Sequence, residues 1–268
     1  MTAPSTLPGE FRETGYDPAA PIYDLEYPEC EGDELVFWSE LAYKAGTVLL
    51  ELAAGTGRVT LALAGLGYDV TGLDNSPEML LRAEAKREAL RPRMRQRATH
   101  VDADMRHFAL GRTFDMVFVA FNSFLLLPDA QARAQCLACA RTHLRPNGIF
   151  AVDVFAATDL DRKPDHEEVE FLELDPASGR RITRERFYDY DPAGERGTST
   201  LIYRLYDANG AFEERRFGYS LALVGRDQFV REIESAGFAV TDVYGDYMRS
   251  TWTQDSPNLI VVASAPGR

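Results

Sequence analysis

A chain of 268 residues with 45% hydrophobic residues is long enough for one large domain, or for one domain carrying an insertion. Its 42 acidic residues against 29 basic give a net charge of −13, which argues against a general binder of nucleic acid or anionic membrane, since both need a basic face. Three cysteines (Cys30, Cys136, Cys139) make no disulfide framework. No apolar run approaches the roughly 20 residues that cross a bilayer, and the N-terminus lacks the parts of a signal peptide, so a reducing, cytoplasmic setting is expected.

Residues 1–20 are rich in Pro, Gly and Thr and are expected to be poorly ordered. From Pro21 the pattern turns aromatic and acidic through Tyr23 and Tyr27. The next helix is predicted over Glu34–Tyr43, with Leu35, Trp38, Leu41 and Ala42 on one face. Val48–Leu50 is apolar without alternation, as a strand buried on both faces should be. It ends in Glu51 and runs through Ala53 to Gly55 and Gly57, which allow a sharp turn and a close approach to a ligand. A helix follows near Val59–Gly65, then a second strand, Asp69–Leu73, that ends in Asp74. There a carboxylate can accept from two ribose hydroxyls. Ser76 and Pro77 start the next helix, which runs through Met79 and Lys86. Seven basic residues between Arg82 and Arg97 face only Glu84 and Glu88; they read as the solvated end of a helix and its loop.

A third strand at Thr99–Val101 leads into Asp102-Ala103-Asp104-Met105. A fourth, Phe114–Ala120, leads into Phe121-Asn122-Ser123-Phe124, at the crevice end of a parallel sheet. The helix Asp129–Leu144 contains Cys136 and Cys139, which read as small core residues. It closes at Arg145-Pro146-Asn147-Gly148 before a fifth strand, Ile149–Val154. The period then changes. Residues 158–224 read as about four antiparallel strands, with turns at 175–179, 191–194 and 207–210. A helix over Arg226–Ala236 and strands near Phe238–Tyr244 and Asn258–Ala263 end the chain. The organisation predicted is an α/β, Rossmann-like, mostly parallel seven-stranded sheet built from 21–157 and 225–268, with helices on both faces. An antiparallel β insertion after the fifth strand would be a lid, an acceptor-binding wall or a homodimer contact.

Two strands in succession that each end in an acid, with glycines between, describe a nucleoside crevice. A dinucleotide fingerprint needs a third glycine, and Thr60 stands there. Glu51 also suits a ligand bearing an ammonium better than one bearing a pyrophosphate. The Glu51–Gly57 segment resembles motif I of the class I S-adenosylmethionine-dependent methyltransferases, with Ala53 in place of the usual first glycine. Gly72–Met79 resembles the family's ribose-binding motif, Asp102–Met105 its adenine-binding turn and Leu144–Phe150 its helix-ending turn. The resemblance implies S-adenosyl-L-methionine as cofactor. It implies Tyr23, Glu51, Ala53, Gly55, Gly57, Asp74, Asn75, Met79, Asp104, Met105 and Phe121 as residues that bind it.

The fourth strand is not followed by the Pro-Pro of the base-modifying enzymes. The chain is closer to small-molecule methyltransferases of the sugar-amine and glycine type, which implies an amine acceptor. Attack on an activated methyl needs alignment and exclusion of water more than a catalytic group. A hydroxyl acceptor needs a base. Of the histidines, His100 falls in a strand, His143 late in a helix and His107 on the surface, while His166 opens the insertion; none is assigned as base. O-methylation, a non-catalytic binding module, a nicotinamide oxidoreductase and an RNA-directed enzyme using Arg82–Arg97 remain as alternatives.

Overall fold

The fold is given by a computed structural model, which describes residues 14–27, 29–158, 161–171 and 181–267. Two helices come first, α1 (Ala20–Glu26) and α2 (Gly32–Ala45). Strands and helices then alternate: β1 (Val48–Leu52), α3 (Arg58–Gly65), β2 (Asp69–Asp74), α4 (Pro77–Ala89), the single turn α5 (Pro92–Arg95), β3 (Ala98–Asp102) and β4 (Phe114–Val119). A short 3₁₀ turn at Ser123–Leu126 precedes α6 (Ala130–His143) and β5 (Leu144–Val154). The insertion holds β6 (Asp165–Phe171), β7 (Arg181–Asp191), β8 (Arg196–Tyr206) and β9 (Phe212–Ala222). The chain ends with α7 (Arg226–Ser235), β10 (Ala239–Tyr244) and β11 (Leu259–Ser264).

The main sheet has the order β10-β11-β5-β4-β1-β2-β3. Pairs from β5 through β3 are parallel, and β11 runs antiparallel to both β5 and β10. The chain moves outward from β1 to β3 and then returns to β4 on the other side of β1. That reversal opens a crevice beyond the carboxyl ends of β1 and β4. Every residue of β4 is buried, and β1 is buried from Leu49 on, because helices cover both faces. On one face α6 and α7 bring Leu137, Phe229 and Ile233 against Phe150; on the other α2 and α3 bring Phe37, Trp38 and Leu63 against Leu49 and Phe118. The predicted cap at Ser76 holds, its Oγ accepting from Met79 N–H at 3.2 Å; α6 is capped in the same way, by Asp129 Oδ1 accepting from Ala132 N–H at 2.8 Å.

Two expectations change. The segment Arg145–Gly148 belongs to β5 rather than closing a helix in a separate turn. Asn147 takes the left-handed conformation there, and the register against β4 shifts between Phe114 and Met116. Residues 14–20 are packed, not loose. Tyr16 stacks on Tyr219 at 5.6 Å, Thr14 N–H donates to Gly218 O at 3.1 Å, and Ser76 Oγ bonds Asp17. The rest of the N-terminal expectation, residues 1–13, and the predicted turn at 175–179 lie outside the described residues. The arginine-rich stretch is matched by acids: Arg87 pairs with Glu84 and Glu88, Arg95 with Glu88 at 2.8 Å, and Arg97 with Asp69 at 2.7 Å.

The four inserted strands form their own antiparallel sheet, β6-β7-β8-β9. Its inner face meets α1: Ile182, Leu201, Leu205 and Phe217 pack against Ala19 and Ile22. Glu26, at the end of α1, is bound by Tyr203 OH and Arg184 of this sheet. Two residues earlier in the same turn of α1, Thr56 Oγ1 and Lys86 Nζ donate to Asp24 Oδ1 at 2.5 and 2.9 Å. The N-terminal segment therefore ties the inserted sheet to the main one, directly over the crevice.

Candidate active site

The crevice holds a cavity of about 420 Å³, inside the range common for small-ligand pockets. Its floor is the turn after β1. Ala53, Gly55 and Gly57 have φ of 55°, 57° and 77°, a left-handed run that lets the backbone reverse into α3. A Cβ added to Gly55 would meet nothing within 4 Å, and Ala53 and Gly55 both line the cavity. Gly57 is not among the described lining residues. A Cβ there would lie 3.0 Å from His100 Nε2 and 3.3 Å from Ala83 Cβ, so this glycine lets α3 pack against β3 and α4. Glu51 is likewise absent from the lining among the described residues. It is only 3% exposed, its Oε2 accepts from Thr60 Oγ1 at 2.5 Å, and burial pushes its carboxyl up to about 8.

Asp74 stands on the cavity wall. Its Oδ2 accepts Gly55 N–H at 2.7 Å and its Oδ1 accepts Ser76 N–H at 2.8 Å, so both turns that flank the crevice are pinned to one carboxylate. Burial raises its pKa, against the pull of these amide donors. Each oxygen keeps a second acceptor position for a ligand hydroxyl. Asn75, Ser76 and Met79 continue the wall. Beyond β3, Asp104 lines the cavity with Ala103, Met105 and Arg106. Arg106 Nε and Nη2 reach the Asp104 carboxylate at 3.0 and 2.6 Å, and this hydrogen bonding holds its pKa below the usual value. His143 and Cys139 of α6 fasten the loop that follows: Leu110 N–H donates to His143 Nε2 at 3.2 Å, and Cys139 Sγ donates to Phe108 O at 3.3 Å. Cys136 is fully buried beside them, so both cysteines are packing groups.

The end of β4 is strained. Phe121 and Asn122 both have positive φ, 57° and 64°, which non-glycine residues adopt at a cost. Asp153, buried at the end of β5, supplies the restraint. It accepts Phe121 N–H at 3.3 Å, Tyr247 OH at 2.6 Å and Asn258 Nδ2–H at 2.9 Å, while Asn122 Oδ1 accepts Phe155 N–H at 2.7 Å. Asp153→Ala leaves three partly buried donors without their acceptor and is expected to cost about 2–3 kcal/mol in urea unfolding. An unchanged midpoint would show that the strained turn holds itself.

Aromatic rings close the cavity from above. Tyr23 and Tyr27 of the α1 region lie 4.9 Å apart, and Tyr27 meets the Phe121 ring edge-on at 5.1 Å. Tyr16, Phe217 and Tyr219 form a second group, with Tyr16 5.7 Å from Phe217. Burial raises the pKa of Tyr16, Tyr23, Tyr27 and Tyr219, so these phenols stay neutral. Leu201, Leu221 and Leu126–Pro128 complete this end.

A methyltransferase-domain family model matches residues 49–148, the span from β1 into β5 that builds the floor and both acid-bearing walls. The solved CcbJ methyltransferase from Streptomyces caelestis superposes with a TM-score of 0.78 over 96% of this chain and all of that one, at 23% identity. Residues 49–148 carry a methyltransferase domain, and the chain is an S-adenosylmethionine-dependent methyltransferase. The curated cypemycin N-terminal methyltransferase of a Streptomyces species is 26% identical across 81% of this methyltransferase and 82% of its own length. The glycine/sarcosine N-methyltransferase of Halorhodospira halochloris is 25% identical over 86% and 79%.

The cavity fits the cofactor of this family. Gly55 offers open space at the floor, Asp74 offers acceptors to hydroxyls, and the loop after β3 offers a carboxylate and backbone N–H groups. Nine of the residues singled out from the sequence line the methyltransferase cavity: Tyr23, Ala53, Gly55, Asp74, Asn75, Met79, Asp104, Met105 and Phe121. The sequence reading passed over Tyr16, which it placed in a loose N-terminus, and the strand residues Leu201, Phe217, Tyr219 and Leu221. The apolar alternation at 217, 219 and 221 does mark one face of a strand. Nothing local says what that face covers. His166 is outside the lining, bound to Glu185 at 3.0 Å and set against the Phe187 ring.

Proposed function

We propose that this methyltransferase moves a methyl group from S-adenosylmethionine to the amine nitrogen of a small molecule. The bound cofactor supplies a methyl already activated by a positive sulfur. In this reading Asp74 and Asn75 hold the ribose, Asp104 and Met105 the adenine, and Tyr23, Ala53 and Gly55 the methionyl end. Phe121 and Tyr27 border the transfer point, and the inserted sheet shapes the acceptor's side. One observation carries the choice of nitrogen. Among the described residues, the end of the cavity beyond Phe121 is lined by phenols, rings, aliphatic chains and the neutral side chains of Asn122 and Ser123, with no histidine, lysine or carboxylate to serve as base. A neutral amine attacks without one; a hydroxyl does not. The names of the relatives, a cypemycin N-terminal methyltransferase and a glycine/sarcosine N-methyltransferase, agree with this reading.

The test is a matched panel of amines and phenols with S-adenosylmethionine. Formation of S-adenosylhomocysteine is followed, and NMR locates the new methyl. Methyl on nitrogen supports the reading. Methyl on oxygen overturns it, and tight cofactor binding with no turnover on any acceptor makes the chain a binding module.

A further inference from the structure

We infer that the acceptor is a hydrophobic amine that carries neither a carboxylate nor a phosphate beside its nitrogen; this rests on the amine reading above. The acceptor end of the cavity is an apolar wall. Leu201 and Phe217 face each other across β8 and β9, and Tyr219 and Leu221 follow on the same side of β9. Tyr16 closes over Phe217 and Tyr219, and Leu126 faces in from the turn after β4.

An anionic substituent buried there is best balanced by a cation; the polar groups at that end, the phenols of Tyr16 and Tyr219 and the side chains of Asn122 and Ser123, are neutral. Among the described lining residues the one basic side chain is Arg106, on the adenine side and engaged by Asp104 through two nitrogens. Two arginines do stand on the inner side of the inserted sheet, outside the lining. Arg184 is held by Glu26 and Glu167, and Arg186 by Asp165 and Glu167 at 3.1 and 3.3 Å. Each is already balanced by carboxylates, so neither is poised for an anionic substrate. The rings serve an amine in a different way. The faces of Tyr16, Phe217 and Tyr219 attract an ammonium while burying the carbon skeleton that carries it.

The experiment compares 2-phenylethylamine with phenylalanine, which differ only by the carboxylate, and adds glycine as a small anionic control. Turnover is read as kcat/KM and binding by calorimetry without cofactor. The expected result is phenylethylamine favoured about a hundredfold or more over phenylalanine, because the carboxylate would be desolvated without a partner. Leu221→Lys, at a half-buried lining position, is expected to narrow that ratio at least tenfold by supplying the missing cation. N-methylation of phenylalanine or glycine as fast as of phenylethylamine overturns the inference and leaves the amine reading intact. Failure of the amine reading itself looks different: methyl on oxygen, or no transfer to any amine.

Discussion

Asp74→Ala is expected to weaken S-adenosylmethionine binding by about a hundredfold or more while leaving a folded protein. The carboxylate has two tasks at once. It orders the crevice by accepting from Gly55 N–H and Ser76 N–H, and it presents the remaining acceptor positions to the ligand. A hydrogen bond to a charged group contributes roughly 1.5–3 kcal/mol, and tenfold in affinity is about 1.4 kcal/mol, so losing two ligand contacts reaches about two to four decades. Asp74→Asn separates the tasks. It keeps the size of the side chain, but its amide NH₂ faces either Gly55 N–H or Ser76 N–H, donor against donor. Titration calorimetry with S-adenosylmethionine and S-adenosylhomocysteine, alongside thermal unfolding, reads both effects. A folded Asp74→Ala with wild-type affinity would sink the ribose assignment.

The alternation of buried strands and capped helices made the main sheet legible in advance, since burial on both faces and a cap at Ser76 are local properties. The acids at the ends of β2 and β3 were legible for the same reason: the end of a parallel strand is a place in the crevice whatever the loops do. The upper half of the cavity was not. Tyr16 lies in a stretch of turn-forming residues, and the rings it packs on beyond Tyr23 stand 200 residues away in β9. Asp153 reads as one acid within an apolar strand, and its partners Tyr247 and Asn258 come from loops near the end of the chain. Gly57 shows the opposite failure. It has the spacing of a ligand-facing glycine, and it is required by its left-handed backbone and by His100 on a neighbouring strand, which no local pattern shows.

Glu51→Gln is expected to stabilise the protein at pH 9 and to change little at pH 5. Wild-type Glu51 is buried at the end of β1 with one hydroxyl donor, Thr60, and no cation in contact, because the nearby Arg58 is bound through both terminal nitrogens to Glu34 at 2.6 and 2.7 Å. Burial raises its pKa from 4.5 in the unfolded chain to about 8 in the fold. The folded state therefore holds this proton more tightly than the unfolded state. The stabilisation is complete below pH 4.5 and is lost as pH rises through 8. At 1.36 kcal/mol for each pKa unit, the loss is no more than about 5 kcal/mol. Glutamine keeps the acceptor for Thr60 and cannot ionise, so melting at pH 9 should rise by several degrees. Asp74 and Asp153, also raised by burial, add their own loss with rising pH to both proteins alike, so the difference between the two curves isolates Glu51. Parallel curves from pH 5 to 9 would show that this carboxyl ionises freely in the fold. Cofactor affinity of the same variant is the second readout. A tenfold loss assigns Glu51 to the methionyl ammonium, and an unchanged affinity assigns it to the packing of α3 on β1.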